Sequence, residues 1–138
     1  MLLESELLLK YQDEIDHFEE SQKYLDDSPG KIYFGLFAGE ILKAFAALKC
    51  YVDEDGNEMW MLRGCYSKED FRGGLQLELI EERINYLRSL SNSPKYVYVS
   101  VDPDNTYSRI NIEKAGFKLE TTVLLKNNQL VWRYKKKI

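Results

Sequence analysis

The stretch Cys65-Tyr66-Ser67-Lys68-Glu69-Asp70-Phe71-Arg72-Gly73-Gly74-Leu75-Gln76 decides how this chain is read. The residues leading into it, from about Glu58 to Ser67, are rich in aromatic and large apolar side chains and predict a strand. Gly64 interrupts that strand, and a glycine at such a place predicts a bulge or a close backbone approach. After the stretch, Leu77, Ile80, Ile84 and Leu87 recur at helical spacing, widened by Leu75, Leu79 and Leu90. They predict an amphipathic helix from Gly74 to about Ser91. Strand and helix are joined by two adjacent glycines. Such a turn can expose backbone N–H groups at the positive end of a helix dipole, a ready seat for phosphate. It can equally be a plain reversal of the chain.

Working upstream, Leu8, Tyr11, Ile15, Phe18 and Leu25 form one helical stripe with acids between them, broken by Ser28-Pro29-Gly30. Whether Met1 to Leu3 add a short strand stays open. Ile32 to Phe37 and Ile41 to Val52 are strand-like runs joined by Ala38-Gly39-Glu40, an antiparallel hairpin. Asp53-Glu54-Asp55-Gly56-Asn57 is a second turn, with the Asp-Gly pair that hairpins favour. Downstream, Ser91-Asn92-Ser93-Pro94 ends the helix. In the next strand Val97, Val99 and Val101 face one way, and Tyr96, Tyr98 and Ser100 the other. Asp102-Pro103-Asp104-Asn105 turns the chain into a short helix, Ser108 to Ala115, capped by Gly116. A last hairpin pairs Phe117–Leu125 with Leu130–Tyr134. The order implies an α+β domain around a mixed central sheet, with a parallel crossover from Glu58 to Val101.

A length of 138 residues suits a single domain, 1–138. The net charge of −4 argues against a general nucleic-acid binder. The basic run Arg133 to Lys137 reads as a solvated strand end or tail. Cys50 and Cys65 have no metal-ligand spacing and read as two reduced thiols of a cytoplasmic protein. His17, the only histidine, sits among acids on the first helix, so a histidine-rich metal site is excluded and no metal is expected. No apolar run reaches membrane-spanning length, and Met1-Leu2-Leu3-Glu4 lacks the basic start of a signal peptide.

Two further motifs select between the readings of the glycine turn. Phe71-Arg72-Gly73-Gly74-Leu75 resembles the Arg-Gly-x-Gly-Ile/Leu loop of the GNAT family of acetyl-CoA-dependent N-acetyltransferases. Asn105-x-x-Ser108 followed by Glu113-Lys114-Ala115-Gly116-Phe117 resembles the family's Asn-x-x-Ser…Glu-Lys-x-Gly-Phe signature. Element order matches over nearly the whole chain. The resemblance implies a central sheet whose two parallel strands splay apart, with acetyl-CoA as co-substrate. Its pantetheine arm would pair with backbone at Cys65, Tyr66 and Ser67. Its pyrophosphate would sit on amides of Phe71, Arg72, Gly73, Gly74, Leu75 and Gln76. Asn105 would bind or order the pantetheine side.

The resemblance implies direct attack of an amine on the thioester, with a small molecule or a protein as acceptor and a monomer or homodimer as the working form. Two departures bear on this. Gly73 and Gly74 are adjacent where the family has a residue between glycines. Ile112 stands where many members carry the tyrosine that protonates the departing thiolate. Ser108 is then the first candidate acid, with N-capping of its helix as the structural alternative, and Tyr107 is the second. Glu58 is the candidate base, or Tyr98 and Ser100 could hold a water. Rival readings are a catalytically inactive GNAT-fold binding or regulatory module, and an enzyme using another acyl donor or a nucleobase or sugar acceptor.

Overall fold

The alternating apolar residues of the middle of the chain become a mixed sheet in the computed structural model, which describes residues 1–21, 29–68 and 74–138. In chain order the elements are β1 (Leu2–Leu3), α1 (Ser5–Glu20), β2 (Ile32–Ala38), β3 (Ile41–Val52), β4 (Glu58–Ser67), α2 (Leu75–Ser89), β5 (Tyr96–Val101), α3 (Thr106–Lys114), β6 (Lys118–Leu124) and β7 (Leu130–Lys137). The strands lie in the order β1-β2-β3-β4-β5-β7-β6. β4 and β5 are parallel, and every other neighbouring pair is antiparallel. This is the α+β arrangement that the element order implies.

The open question at the N-terminus is answered by β1, which places Leu2 opposite Phe34 and Leu3 opposite Tyr33. α1 ends at Glu20, and Leu25 of its proposed stripe lies outside the described residues. α3 begins two residues before Ser108. The Asn105 side chain accepts the Ser108 N–H at 3.1 Å, so Asn105, not Ser108, is the N-cap. The helix closes as expected: Gly116 takes a φ of 92°, the Phe117 N–H bonds the Ile112 carbonyl at 3.1 Å, and the Gly116 N–H bonds that of Glu113 at 3.0 Å. β7 continues to Lys137 instead of ending at Tyr134, because β5 pairs with it down to Tyr96 opposite Lys137. The basic run is therefore ladder, not tail.

Each face of the sheet carries a core. On one face α2 and α3 bury Leu79, Ile80, Ile84, Leu87 and Ile112 against Leu48, Leu62, Val97, Val99 and Tyr134. On the other, α1 buries Tyr11 and Ile15 against Leu3, Tyr33, Phe45 and Ala47. The α1 core stops at the β1–β4 half of the sheet, with no residue from β5, β6 or β7 in it.

The bulge lies where Gly64 predicts it. Ala46 is opposite Cys65 and Ala47 opposite Arg63, so Gly64 is the extra residue on β4. One inserted residue shifts the alternation of everything after it. Leu62 and Cys65 both share the α2 face, while Arg63 and Tyr66 lie on the α1 face, where Tyr66 stacks on Phe18 with ring centroids 4.0 Å apart.

Candidate active site

β4 and β5 pair at two positions only, Met61 opposite Tyr98 and Leu62 opposite Val99. Beyond them each strand keeps its outer neighbour. β4 stays with β3 as far as Ala44 opposite Ser67, and β5 stays with β7 as far as Val101 opposite Trp132. The two parallel strands therefore part just where the bulge begins. Backbone polar groups inside a protein demand partners. A groove edged by Gly64–Ser67 on one side and Ser100–Val101 on the other suits a chain that carries amides of its own, as pantetheine does.

α2 starts at the mouth of this gap. Gly74 precedes it with a φ of 71°, a left-handed conformation in which a side chain is strained. The first intrahelical bond to Gly74 comes from the Glu78 N–H, so those of Leu75, Gln76 and Leu77 precede the ladder at the positive helix end. The Gln76 side chain turns away toward α3: its Nε2 donates to Ser108 Oγ at 3.4 Å, and its Oε1 accepts from Asn111 Nδ2 at 2.9 Å. By accepting, Ser108 keeps its own O–H free to donate. Asn111 is buried and was not singled out from sequence; its only signal is its place three residues after Ser108.

Arg83 is the second residue that sequence reasoning missed. It lies on the buried stripe of α2, 2 % exposed. Its Nη1 donates to the Ala47 carbonyl at 2.8 Å and the Arg63 carbonyl at 3.2 Å, and its Nε to that of Leu79 at 3.0 Å. Ala47 and Arg63 flank the bulge, so the guanidinium fastens α2 to the point where the strands part. Burial lowers its pKa to about 10, partly opposed by Cys65. Cys65 retains an exposed surface, yet protein atoms crowd its thiol. The two facts fit the floor of an open cleft: accessible surface governs what reaches the thiol, and crowding governs its pKa. Burial pushes that pKa up and Arg83 pulls it down.

The structure thus brings together Cys65, Tyr66, Ser67, Gly74, Leu75, Gln76, Asn105 and Ser108 around the gap. Phe71, Arg72 and Gly73 lie outside the described residues. Tyr107 is 57 % exposed at the start of α3. Glu58 stands apart. It opens β4 opposite Val52, seven residues before Cys65, and at about 3.3 Å per residue that is more than 20 Å along the strand. Its parity with Trp60 and Leu62 also puts it on the α2 face, across the sheet from Tyr98 and Ser100. Among the described residues no group of histidine, cysteine and carboxylate side chains could hold a metal ion, and no helix is long and apolar enough to cross a membrane.

A mixed sheet with two splayed parallel strands and helices on both faces defines the class: this is the GNAT acetyltransferase fold. No protein-family model matches the sequence, and no curated protein matches it. Among solved structures the chain is similar to Arabidopsis thaliana NAA60 in complex with acetyl-CoA. The two are 14% identical with a TM-score of 0.70, over 94% of this chain and 93% of that one. It is similar to the acetyltransferase of the GNAT family from Streptococcus pneumoniae (17% identity, TM-score 0.64, 91% of this chain and 76% of that one). It is also similar to the aminoglycoside N(6')acetyltransferase from Legionella pneumophila (20% identity, TM-score 0.62, 99% and 77%). At these identities what is shared is the fold.

Proposed function

We propose that residues 1–138 form one acetyltransferase domain that transfers the acetyl group of acetyl-CoA to an amine. The observation that carries this reading is the parting of β4 and β5 after two rungs, with the bulge at Gly64 and the start of α2 at its mouth. Pantetheine amides pair with Cys65, Tyr66 and Ser67, and the pyrophosphate rests on the N–H groups of Leu75 and Gln76. Asn105 shapes the same end through its cap on α3. Tyr98 and Ser100 hold a water that takes the proton of the ammonium, a group with a reference pKa of about 10.4. Glu58 is too distant to serve as that base directly. The amine nitrogen then attacks the thioester carbon, and an N–H near Tyr66 stabilises the oxyanion. When the carbon–sulfur bond breaks, Ser108 donates a proton to the thiolate. Ile112 cannot, being apolar and 2 % exposed in the core. Tyr107 is the alternative donor.

The chain works in the cytoplasm as a monomer or homodimer, its partner being the amine-bearing acceptor. Titration calorimetry tests the reading first: acetyl-CoA binds with a Kd below about 1 mM, the affinity of roughly −4 kcal/mol that a single well-made subsite supplies. With an accepted amine, Ser108→Ala lowers kcat by roughly 10²-fold, the lower end for loss of a proton donor, and leaves that Kd in place. Failure to bind acetyl-CoA would refute the transferase. Binding without turnover of any amine favours a regulatory module, the reading that Ile112 supports.

A further inference from the structure

We propose that the sheet face around Arg133 is an anion subsite for the acceptor, so that the amine this chain acetylates carries a carboxylate. The inference deepens the transferase reading and rests on it. In antiparallel ladders, residues directly opposite one another share a face. Ser100 is opposite Arg133 and Tyr98 opposite Lys135, while Val97, Val99 and Val101 face the α2 core. Tyr98, Ser100, Arg133 and Lys135 therefore lie on the α1 side of the sheet. The α1 core holds no residue of β5 or β7, and Tyr98, Ser100, Arg133 and Lys135 each keep part of their surface accessible. The rung of Ser100 and Arg133 is the first beyond the last β4–β5 pair, Leu62 opposite Val99. It stands at the edge of the gap, on the side opposite α2 and its phosphate seat. A thioester reaching through the gap from the α2 side meets its acceptor on this face.

The neighbouring cations are already engaged. Lys135 lies 3.7 Å from a Glu120 oxygen and 4.0 Å from the centre of the Tyr96 ring. Arg109, on α3, stacks on Trp132 at 5.0 Å. Arg133 is half-buried, and its Nε, like those of Arg63 and Arg109, is sealed from solvent without a hydrogen-bond partner; among the described residues its side chain makes neither an ion pair nor the ring contact that Arg109 has. A sealed cationic donor without an acceptor is costly, and a bound anion is its natural complement. A guanidinium is built for a planar carboxylate, which it grips with two parallel N–H bonds. The Ser100 hydroxyl, directly across the ladder, supplies a third donor. The face is cationic although the chain as a whole carries −4, so the preference is local.

The test compares matched amines at saturating acetyl-CoA: 4-aminobutyrate with 4-aminobutyramide, and the dipeptide amides Asp-Ala with Asn-Ala. Spermidine serves as a cationic control, and thiol release is the readout. The carboxylated member of at least one pair has a kcat/KM roughly tenfold higher or more, the worth of one charge-assisted contact, and the difference lies in KM. Arg133→Gln brings the pair within about twofold by raising KM at unchanged kcat, and Arg133→Lys keeps part of the preference. Preference confined to the 4-aminobutyrate pair identifies a small-molecule acceptor, and preference confined to the dipeptides an acidic peptide N-terminus; both support the subsite. Equal use within both pairs, preference for spermidine, or selectivity that survives Arg133→Gln in a protein of unchanged melting temperature overturns it. If acetyl-CoA does not bind at all, the transferase reading has failed and the subsite is tested alone. Titrated glutarate shifts the backbone amide resonances of Ser100 and Arg133 in the wild type and not in Arg133→Gln, and absence of the wild-type shift overturns the subsite.

Discussion

Arg83 shows how one side chain can fix a geometry without adding much stability. Its three bonds to carbonyls are worth roughly 1.5–3 kcal/mol each, because the donor is charged. Against them stands the desolvation of a guanidinium, several kcal/mol in a real interior. The two nearly cancel. The pKa of about 10 has the same meaning: the folded chain holds this proton less tightly than the unfolded chain, where the guanidinium keeps its ordinary, higher value. Burial therefore destabilises at neutral pH, and the penalty is relieved only as pH rises above about 10 toward the ordinary guanidinium range. Arg83→Met should accordingly change the melting temperature little while altering the cleft. Cys65 reports it. The pKa of the thiol is already raised above its ordinary value, burial outweighing the pull of Arg83. In Arg83→Met its midpoint moves higher still, and in Arg83→Lys it stays near the wild-type value. Iodoacetamide labelling against pH, with Cys65 and Cys50 resolved by peptide mass, gives the answer. An unchanged Cys65 profile in Arg83→Met would show that the cation does not act at the cleft. Arg83 escaped the sequence reading because an arginine on an otherwise apolar stripe is ordinarily taken to reach past it to solvent.

Among the elements, β4 carries the most function, and much of it is visible in one glycine. Gly64 has no left-handed φ, and a Cβ there would meet nothing within 4 Å. Gly64→Ala should thus leave stability unchanged or raise it by about 0.4–1 kcal/mol through the unfolded chain. In the same variant the added methyl enters the space assigned to pantetheine, so calorimetry should show weakened acetyl-CoA binding. Equal affinity in the two proteins would remove β4 from the cofactor groove. The strand limits Glu58–Ser67 and Tyr96–Val101 were legible because alternation and turn formers bound them. The start of α3 was not. Asn105 and Ser108 are both good N-cap residues, and only the bond from the Ser108 N–H to Asn105 decides between them. With Asn105 as the cap, Ser108 is left in the first turn, where its hydroxyl meets Gln76.

At the scale of the whole molecule, two cores on opposite faces divide the labour. The α2–α3 core backs the cofactor side, and the α1 core stabilises the β1–β4 half, reaching the gap only at Tyr66. Ile15 is fully buried in the latter. Ile15→Ala should lower the unfolding free energy by about 2–5 kcal/mol, the range for truncating a sealed aliphatic side chain, while acetyl-CoA affinity measured well below the melting temperature is kept. Denaturant unfolding and calorimetry measure the two separately, and a parallel loss of affinity would show that the cores are not independent. The limited reach of the α1 core goes with a face around Arg133 that stays partly accessible.

The sequence by itself determined the order of the elements, the α+β class, the bulge at Gly64 and the start of α2 next to Gly74. These follow from rules that act within a few residues: alternation, helical spacing, and the φ that glycine tolerates. Only the tertiary structure decided that β4 and β5 part after two rungs, that Gln76 meets Ser108 across 32 residues, and that Arg83 reaches Ala47 across 36. It alone separated Glu58 from the gap and left the Nε of Arg133 without a hydrogen-bond partner. Such contacts depend on which faces two helices cover and where two strands lose register, and no local pattern of residues encodes that.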